Sequence, residues 1–282
     1  MRILITGVAG VLGPNLATYL RANGMTDIVG IDVSDRPFPG RESILFHACD
    51  LTDGDQLQGV LEGVDAVVHC ASAAPSFSDN EIFAVNVDGT KTLLEAAAAA
   101  SVKRFVHISS TAVYGIPDRS PVYETDTLQP YHDAYNRSKV AAEEECVRFR
   151  EMGLIVPILR PRTFLGPGRQ GTFAMLNDWA SNGRGFPMLG SGRNRYQFLD
   201  VEDLCQVIYL CLERPDAAVN DTFNVGAEVF GTMREDYQAV LDRAGYGKHI
   251  VPLPAKPIVV ALGLLERLKL SPLYGRLYKK LQ

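Results

Sequence analysis

Tyr135 and Lys139 are four residues apart, a spacing that places both side chains on one face of a helix. A tyrosine has a reference pKa of about 10 and is a poor base unless a nearby cation stabilises its phenolate. Lys139 supplies such a cation, and Ser110, at the end of an apolar strand-like run, supplies a second hydroxyl. These three side chains could therefore move a proton to or from a substrate hydroxyl while a hydride passes to or from a cofactor.

A glycine-rich turn near the start of the chain predicts a dinucleotide site. Gly7 permits a tight turn, Gly10 lets a pyrophosphate approach the backbone, and Gly13 lets the following helix pack closely on the preceding strand. The amides at the start of that helix would face the phosphates. Asp32 ends the second strand-like run, where a carboxylate accepts hydrogen bonds from a ribose 2′-hydroxyl and repels a 2′-phosphate. The pattern favours NAD over NADP, although Arg36 nearby could weaken the preference.

Strand-like and helical patterns alternate along the first part of the chain. This alternation predicts an α/β fold with a Rossmann-type, doubly wound parallel sheet and a smaller C-terminal substrate lobe. Strands are expected at residues 2–5, 28–32, 44–47, 66–69, 104–108 and 154–159, with helices ending near residue 21 and covering about 82–100 and 133–151. After Pro161, Gly and Pro cluster in loops. We therefore expect an NAD-binding domain over residues 1–164 and, over 165–282, mainly a substrate-binding lobe from which some segments return to the sheet.

Composition narrows the class of protein. The net charge of −5 over 282 residues gives no sign of a nucleic-acid partner or an anionic membrane surface. The five cysteines are scattered without a Cys-x-x-Cys pair, which predicts reduced thiols, a cytoplasmic location and no metal site. Met1 leads directly into the first expected strand and leaves no room for a signal peptide. The apolar run 258–265 is too short to span a bilayer and is expected to form a helix packed on its own domain.

Several longer motifs together resemble the extended short-chain dehydrogenase/reductase family, which includes NAD-dependent sugar-nucleotide epimerases and dehydratases. The resemblance covers nearly the whole chain. The matching segments are the glycine turn 6–13, Asp50-Leu51, residues 69–72, 86–90, 109–115, 135–139, 160–168, 190–192 and 200–204, Arg195, and residues 223–226. The resemblance implies NAD as cofactor and a homodimer that pairs through the helices at about 82–100 and 133–151.

The resemblance also implies roles for individual residues. Ser110, Tyr135 and Lys139 would be catalytic, with Lys139 also holding the cofactor ribose. The residues expected to bind the cofactor are Gly7, Gly10, Val11, Leu12, Gly13, Asp32, Asp50, Leu51, Cys70, Ala71, Ser72, Asn86, Ser109, Tyr135, Lys139, Pro161, Arg162 and Thr163. The residues expected to contact substrate are Ser110, Thr111, Tyr135, Thr163, Asn177 and Arg195.

Departures from the family pattern bear on the reaction. Dehydratases and decarboxylases carry an acidic residue just after the catalytic hydroxyl, where this chain has Thr111 and Ala112. The leading hypothesis is therefore an NAD-dependent epimerase of a nucleotide sugar, a UDP- or dTDP-hexose. Thr163 stands where a typical 4-epimerase has asparagine, which keeps open an NAD-dependent secondary-alcohol dehydrogenase or ketoreductase of the 3β-hydroxysteroid type. A non-catalytic NAD-binding regulator is a further alternative, which the presence of Tyr135 and Lys139 disfavours.

Overall fold

Short apolar runs form the strands, and the helices lie between them. The structure is a computed structural model that describes residues 1–254, so the run 258–265 lies outside the described residues. The strands are β1 (Ile3–Thr6), β2 (Ile28–Asp32), β3 (Leu45–Ala48), β4 (Ala66–His69), β5 (Arg104–Ile108), β6 (Ile158–Pro161), β7 (Phe164–Leu165), β8 (Phe186–Leu189), β9 (Leu199–Asp200), β10 (Thr222–Val225) and β11 (Ile250–Leu253). The helices are α1 (Leu12–Ala22), α2 (Gly54–Val60), α3 (Asp79–Phe83), α4 (Gly89–Ala99), α5 (Ala134–Glu151), α6 (Thr172–Ser181), α7 (Val201–Glu213), α8 (Asp216–Val219) and α9 (Met233–Ala244).

Seven strands form a parallel sheet in the order β3-β2-β1-β4-β5-β6-β10. Alternate residues of β1 enter different layers, since Ile3 and Ile5 pack with α1 and α7 while Leu4 packs with α2, α4 and α5. Both faces of the sheet are therefore buried, which is why its central strands are almost continuously apolar. The predicted Rossmann-type, doubly wound sheet is confirmed. The strand order reverses between β1 and β4, where ligands of such folds bind at the carboxyl edge.

The described chain divides into two compact units. The first contains residues 1–168 and 198–228, and the second contains residues 169–197 and 229–254. Residues 198–228 thus belong to the unit that holds the sheet, and β10 extends that sheet beside β6. In the second unit, β8 pairs with β11 and the ring of Phe186 contacts those of Trp179 and Tyr237. The assignment of NAD binding to residues 1–164 and of substrate binding mainly to residues 165–282 stays a prediction.

β1 and β3 begin and end one residue later than predicted, and two further elements differ by more. The helix expected at 82–100 begins at Asp79 and contains a π-helical turn at Ala84–Asp88 between α3 and α4. That turn carries the buried Asn86, and such turns are frequent at functional sites. The strand expected at 154–159 begins at Ile158, because Pro157 has no N–H to donate.

Among the helices of residues 1–254, none is long and apolar enough to cross a membrane. In the same part of the chain, no group of three or more His, Cys, Asp or Glu side chains is arranged to hold a metal ion.

Candidate active site

Helix α5 carries Tyr135 and Lys139 at the carboxyl edge of the sheet. It begins at Ala134 because the side chain of Asp133 caps it, accepting a hydrogen bond of 3.0 Å from the backbone N–H of Asn136. The Nζ atom of Lys139 lies 5.9 Å from the centroid of the Tyr135 ring. The same atom donates a hydrogen bond of 3.1 Å to the carbonyl oxygen of Ile108, the last residue of β5. The lysine thus links the tyrosine helix to the strand that leads into Ser110.

Burial and a neighbouring carboxylate have opposite effects on the pKa of Lys139. The residue is 4% exposed, and this burial lowers its pKa from 10.5 to about 8. The carboxylate of Glu143, one turn further along α5, acts in the opposite direction and raises the pKa. The ammonium is therefore the main form at neutral pH, which is the form that stabilises a tyrosinate.

Ser110 and Thr111 lie where β5 ends. Ser110 caps the short 3₁₀ helix Thr111–Tyr114, and its Oγ atom accepts a hydrogen bond of 3.1 Å from the N–H of Ala112. The hydroxyl proton of Ser110 is not used in that bond. Arg162, just beyond β6, donates a hydrogen bond of 3.4 Å to Oγ1 of Thr111. Two adjacent strand ends therefore bring a serine, a threonine and a guanidinium group to one edge.

The glycine turn has the shape that a dinucleotide requires. Gly7 has a φ of +64°, and a Cβ atom there would lie 2.7 Å from Cα of Ala71. A Cβ atom at Gly13 would lie 2.5 Å from Cα of Val8, so α1 can approach β1 only without one. Helix α1 begins after Val11, and within the described part of the chain no side chain caps this end of the helix. The first turn of α1 contains no acidic residue. The amides there can face an anion, so this turn fits the pyrophosphate of NAD.

Asp32 is held against this turn. Its Oδ2 atom accepts a hydrogen bond of 3.0 Å from the N–H of Ala9, and its Oδ1 atom accepts one of 2.9 Å from the N–H of Ser34. Arg36 donates a hydrogen bond of 2.8 Å to the carbonyl oxygen of Ala9. A carboxylate has about four acceptor positions, so Asp32 can still accept from a ribose hydroxyl. The residues present therefore fit NAD, and contact of Asp32 with the ribose stays a prediction.

Changing Asp32 to asparagine is expected to reduce the preference for NAD. The variant keeps the size of the side chain but removes the charge that would repel a 2′-phosphate, while Arg36 stays in place. We expect the ratio of the NADP and NAD dissociation constants to fall at least about tenfold, which corresponds to roughly 1.4 kcal/mol. Calorimetric titration with each dinucleotide measures this ratio. The matched control is Asp35→Asn, which removes an exposed partner of Arg41 and should leave the ratio unchanged. An unchanged ratio in Asp32→Asn would contradict the assignment of Asp32 to the ribose.

The remaining residues expected around the cofactor follow the other strand ends. Oδ1 of Asp50 accepts a hydrogen bond of 2.9 Å from the N–H of Thr52, and Leu51 is buried against Gly89. Oδ1 of the buried Asn86 accepts hydrogen bonds from the N–H of Ala73 and the hydroxyl of Ser72. The residues just after β4 and β6 are half-buried or exposed: Cys70, Ala71, Ser72, Arg162 and Thr163. Pro161, the last residue of β6, is buried. Their contacts with the cofactor stay predictions.

A buried hydrogen-bonded chain joins these strand ends. Thr6 Oγ1 accepts from the N–H of Ala71 at 3.1 Å and lies 2.7 Å from Nδ1 of His69. Thr90 Oγ1 donates to the carbonyl of Asn86 at 2.7 Å and lies 2.9 Å from Nε2 of His69. Thr90 therefore accepts the Nε2–H proton, and Nδ1 accepts the hydroxyl proton of Thr6. Burial lowers the pKa of His69 to about 3, which agrees with this neutral ring.

His107, on β5, is a core residue. It is 1% exposed, and its ring lies 5.5 Å from that of His69. Burial holds its pKa well below the usual range, so the ring is neutral.

Sequence reasoning missed the buried pair of Glu143 and Arg160. Arg160 on β6 donates to both carboxylate oxygens of Glu143, with distances of 3.0 Å from Nε to Oε1 and 2.6 Å from Nη2 to Oε2. Both residues are less than a tenth exposed. Two signals were available in the sequence. Glu143 continues the four-residue spacing of Tyr135 and Lys139, and Arg160 is a lone cation in an apolar run that needs a buried anion.

Asn177 and Arg195 belong to the second unit. Asn177 is exposed on α6. Nη2 of Arg195 donates a hydrogen bond of 3.0 Å to the carbonyl oxygen of Phe230, and its guanidinium carbon lies 4.6 Å from the centroid of that ring. Contact of either residue with substrate stays a prediction.

Comparisons with known proteins give a consistent result. The model of the NAD dependent epimerase/dehydratase family matches residues 3–226. The uncharacterized protein y4nG of Sinorhizobium fredii is 36% identical over 282 residues, which cover 97% of this chain and 70% of that protein. The structure of UDP-glucose 4-epimerase from Thermotoga maritima, with UDP-glucose, has a TM-score of 0.79 and 25% identity and covers 90% of this chain and 86% of that chain. The structure of a dTDP-glucose 4,6-dehydratase from Streptomyces venezuelae, with NAD bound, has a TM-score of 0.75 and 27% identity, with coverage of 89% and 84%.

Proposed function

Because the chain belongs to the NAD-dependent epimerase/dehydratase family, we propose that it is an epimerase of a nucleotide sugar, a UDP- or dTDP-hexose. It is an enzyme of the extended short-chain dehydrogenase/reductase type, and its cofactor is NAD. The observation that carries the proposal is the buried Lys139 ammonium, which lies beside the Tyr135 ring and is bonded to the strand that leads into Ser110.

The side chains have separate tasks in this reaction. NAD, when bound, supplies an acceptor that can take a hydride from carbon and give it back. Tyr135 removes the proton from a substrate hydroxyl, so that the C–H and O–H bonds are replaced by a C=O bond. Lys139 stabilises the tyrosinate, and Ser110 orients the oxygen by hydrogen bonding. After the ketone has turned over, return of the hydride to its opposite face and of the proton from Tyr135 to its oxygen re-forms the C–H and O–H bonds, and the configuration changes with no net oxidation.

The residues after Ser110 favour this reaction over elimination. Removing a proton next to the ketone requires a base close to that carbon, and Thr111 and Ala112 offer no carboxylate. Oγ1 of Thr111 instead lies within 3.4 Å of the Arg162 guanidinium. A threonine hydroxyl beside a cation is a hydrogen-bonding group rather than a base. Reversible oxidation of a hydroxyl is therefore the chemistry that these residues support best.

The test is a panel of UDP- and dTDP-hexoses incubated with the protein and NAD. Sugar configuration is followed by NMR, and accumulation of NADH is followed by absorbance. A change of configuration without net NADH supports the proposal. Net NADH without an epimer contradicts it and favours the secondary-alcohol dehydrogenase. If NAD binds but none of these sugars is turned over, the proposal is contradicted; adding a sterol then separates the secondary-alcohol dehydrogenase, which would form NADH, from the non-catalytic regulator, which would not.

A further inference from the structure

We propose that Glu143 is a positioning residue of this active site, whose carboxylate, fixed by Arg160 and Ser109, orients helix α5 and keeps Lys139 charged beside Tyr135. The inference rests on the proposed role of Tyr135 and Lys139 in proton transfer, and not on the identity of the sugar. It concerns residues of the first unit.

Glu143 is held in one place by an unusually complete set of partners. Arg160 donates hydrogen bonds to the Glu143 carboxylate from two guanidinium nitrogens. The hydroxyl of Ser109 donates to Oε1 of Glu143. A carboxylate buried to this extent is strongly unfavourable without such partners. The bidentate geometry also fixes orientation, which a single contact with lysine would not do. The position of the Glu143 charge is therefore set by β5 and β6.

Two successive residues of β5 and its extension bind successive turns of α5. The carbonyl oxygen of Ile108 accepts from Lys139, and the hydroxyl of Ser109 donates to Glu143. The next residue is Ser110, and one turn back from Lys139 on the helix is Tyr135. A rotation or a slide of α5 would break both contacts. The pair of contacts thus fixes the helix that carries Tyr135 to the strand end that carries Ser110.

Arg160 extends this network to the segment that precedes α5. Its Nη1 atom donates to the hydroxyl of Tyr114 at 2.6 Å and to the carbonyl of Glu124 at 3.2 Å. The Tyr114 hydroxyl in turn donates to Oδ1 of Asn224 on β10 at 2.8 Å. One buried guanidinium group therefore joins the catalytic helix, the loop after the 3₁₀ helix and the last strand of the sheet.

Glu143 also acts electrostatically on Lys139, one turn away on the same helix. On α5, the titratable groups that face Lys139 are Tyr135, Glu143 and Cys146. From the sheet they are His69 on β4, Cys70 just after β4 and His107 on β5. Burial raises the pKa of both thiols and lowers that of both imidazoles, so these four groups are neutral near pH 7. Within this set, Glu143 makes the largest contribution that raises the pKa of Lys139. Its removal would lower the pKa of Lys139 further below about 8.

The sign of the pH effect follows from the role of the cation. Activity needs protonated Lys139, so it is lost as the pH rises through the pKa of this lysine. Loss of the Glu143 charge lowers that pKa, and the buried charge left on Arg160 acts in the same direction. The alkaline limb of the activity profile must therefore move to lower pH.

The test is Glu143→Gln, with log kcat/KM measured between pH 6 and 10 and the Lys139 pKa followed by NMR of the lysine side chains. Lys139→Arg assigns the signal. We expect both the alkaline limb and the Lys139 pKa to move down by about one unit or more, which is the size of effect that a neighbouring charge has on a pKa. We also expect kcat to fall more than KM changes. Glu144→Gln, an exposed neighbour on the same helix, should leave both unchanged.

Two further variants keep the test decisive. Glu143→Asp retains the charge and should keep the alkaline limb near its original pH. If Glu143→Gln does not fold, Glu143→Gln combined with Arg160→Met removes both buried charges and should still lower the Lys139 pKa. A folded variant lacking the charge in which the Lys139 pKa and the alkaline limb stay within about 0.3 unit of their original values would overturn the inference. If the unmodified protein turns over no sugar, the proposed function fails, and the NMR titration alone decides the role of Glu143.

Discussion

Replacement of Tyr135 by phenylalanine is expected to lower kcat for the nucleotide-sugar reaction by about 10²- to 10⁴-fold, the usual contribution of a positioned acid or base. The phenyl ring can keep its packing against Ala73, Ile82 and Ala134, and the change removes the hydroxyl that we propose to react. We therefore expect the thermal midpoint and the affinity for NAD to change little. Steady-state kinetics, calorimetric titration with NAD and thermal unfolding measure the three quantities.

A matched control separates the loss of this hydroxyl from the loss of any tyrosine hydroxyl. Tyr246→Phe makes the same chemical change at an exposed position of the second unit and should retain full activity. A kcat in Tyr135→Phe within about fivefold of the original would show that another group moves the proton, because the expected contribution is at least about a hundredfold.

Replacement of Gly13 by alanine is expected to disrupt both folding and cofactor binding. The new Cβ atom would lie 2.5 Å from Cα and from the carbonyl oxygen of Val8, a backbone contact that no side-chain rotation can relieve. Overpacking of this kind costs about 1–3 kcal/mol, which for a protein of this size lowers the thermal midpoint by roughly 2–12 °C. Displacement of α1 also moves the amides that face the phosphates, so NAD affinity should fall at least about tenfold.

The control for this substitution is Gly59→Ala. Gly59 lies within α2, and a Cβ atom there would meet nothing within 4 Å. Because glycine in a helix costs about 0.5–1 kcal/mol relative to alanine, the thermal midpoint should stay the same or rise slightly. Differential scanning calorimetry with and without NAD compares the two variants. An unchanged midpoint and unchanged NAD affinity in Gly13→Ala would contradict the close approach of α1 to β1.

Much of the fold was predictable because the relevant physics is local. The buried runs of β2, β4 and β5 were predicted at the bounds observed, since strands buried on both faces must be continuously apolar. The π-helical turn was not predicted, because it depends on where the Asn86 side chain reaches its partners at Ala73 and Ser138. The start of β6 was misplaced because the apolar pattern continues through Pro157, although proline cannot donate to the sheet.

The candidate site likewise has one part that was predictable from the sequence and one part that was not. The spacing of Tyr135 and Lys139 needs only a helix to bring the two side chains to one face, and that helix forms from Ala134 to Glu151. The pairing of Glu143 with Arg160 needs α5 to pack on β6, which is a property of the sheet topology. The sequence shows that both residues are charged and would need partners if buried. It does not show that they pair with each other.

What the sequence determined by itself is the set of short-range relations: the strand and helix periods, the glycine turn 6–13, the carboxylate at Asp32 and the four-residue spacing on α5. What only the tertiary structure decided is which distant groups meet, such as Gly7 with Ala71, Lys139 with the carbonyl of Ile108, and Glu143 with Arg160. The physical reason is range. Periodicity and turn chemistry act between residues a few positions apart, whereas the position and charge of a buried side chain depend on every element that packs around it and removes it from water.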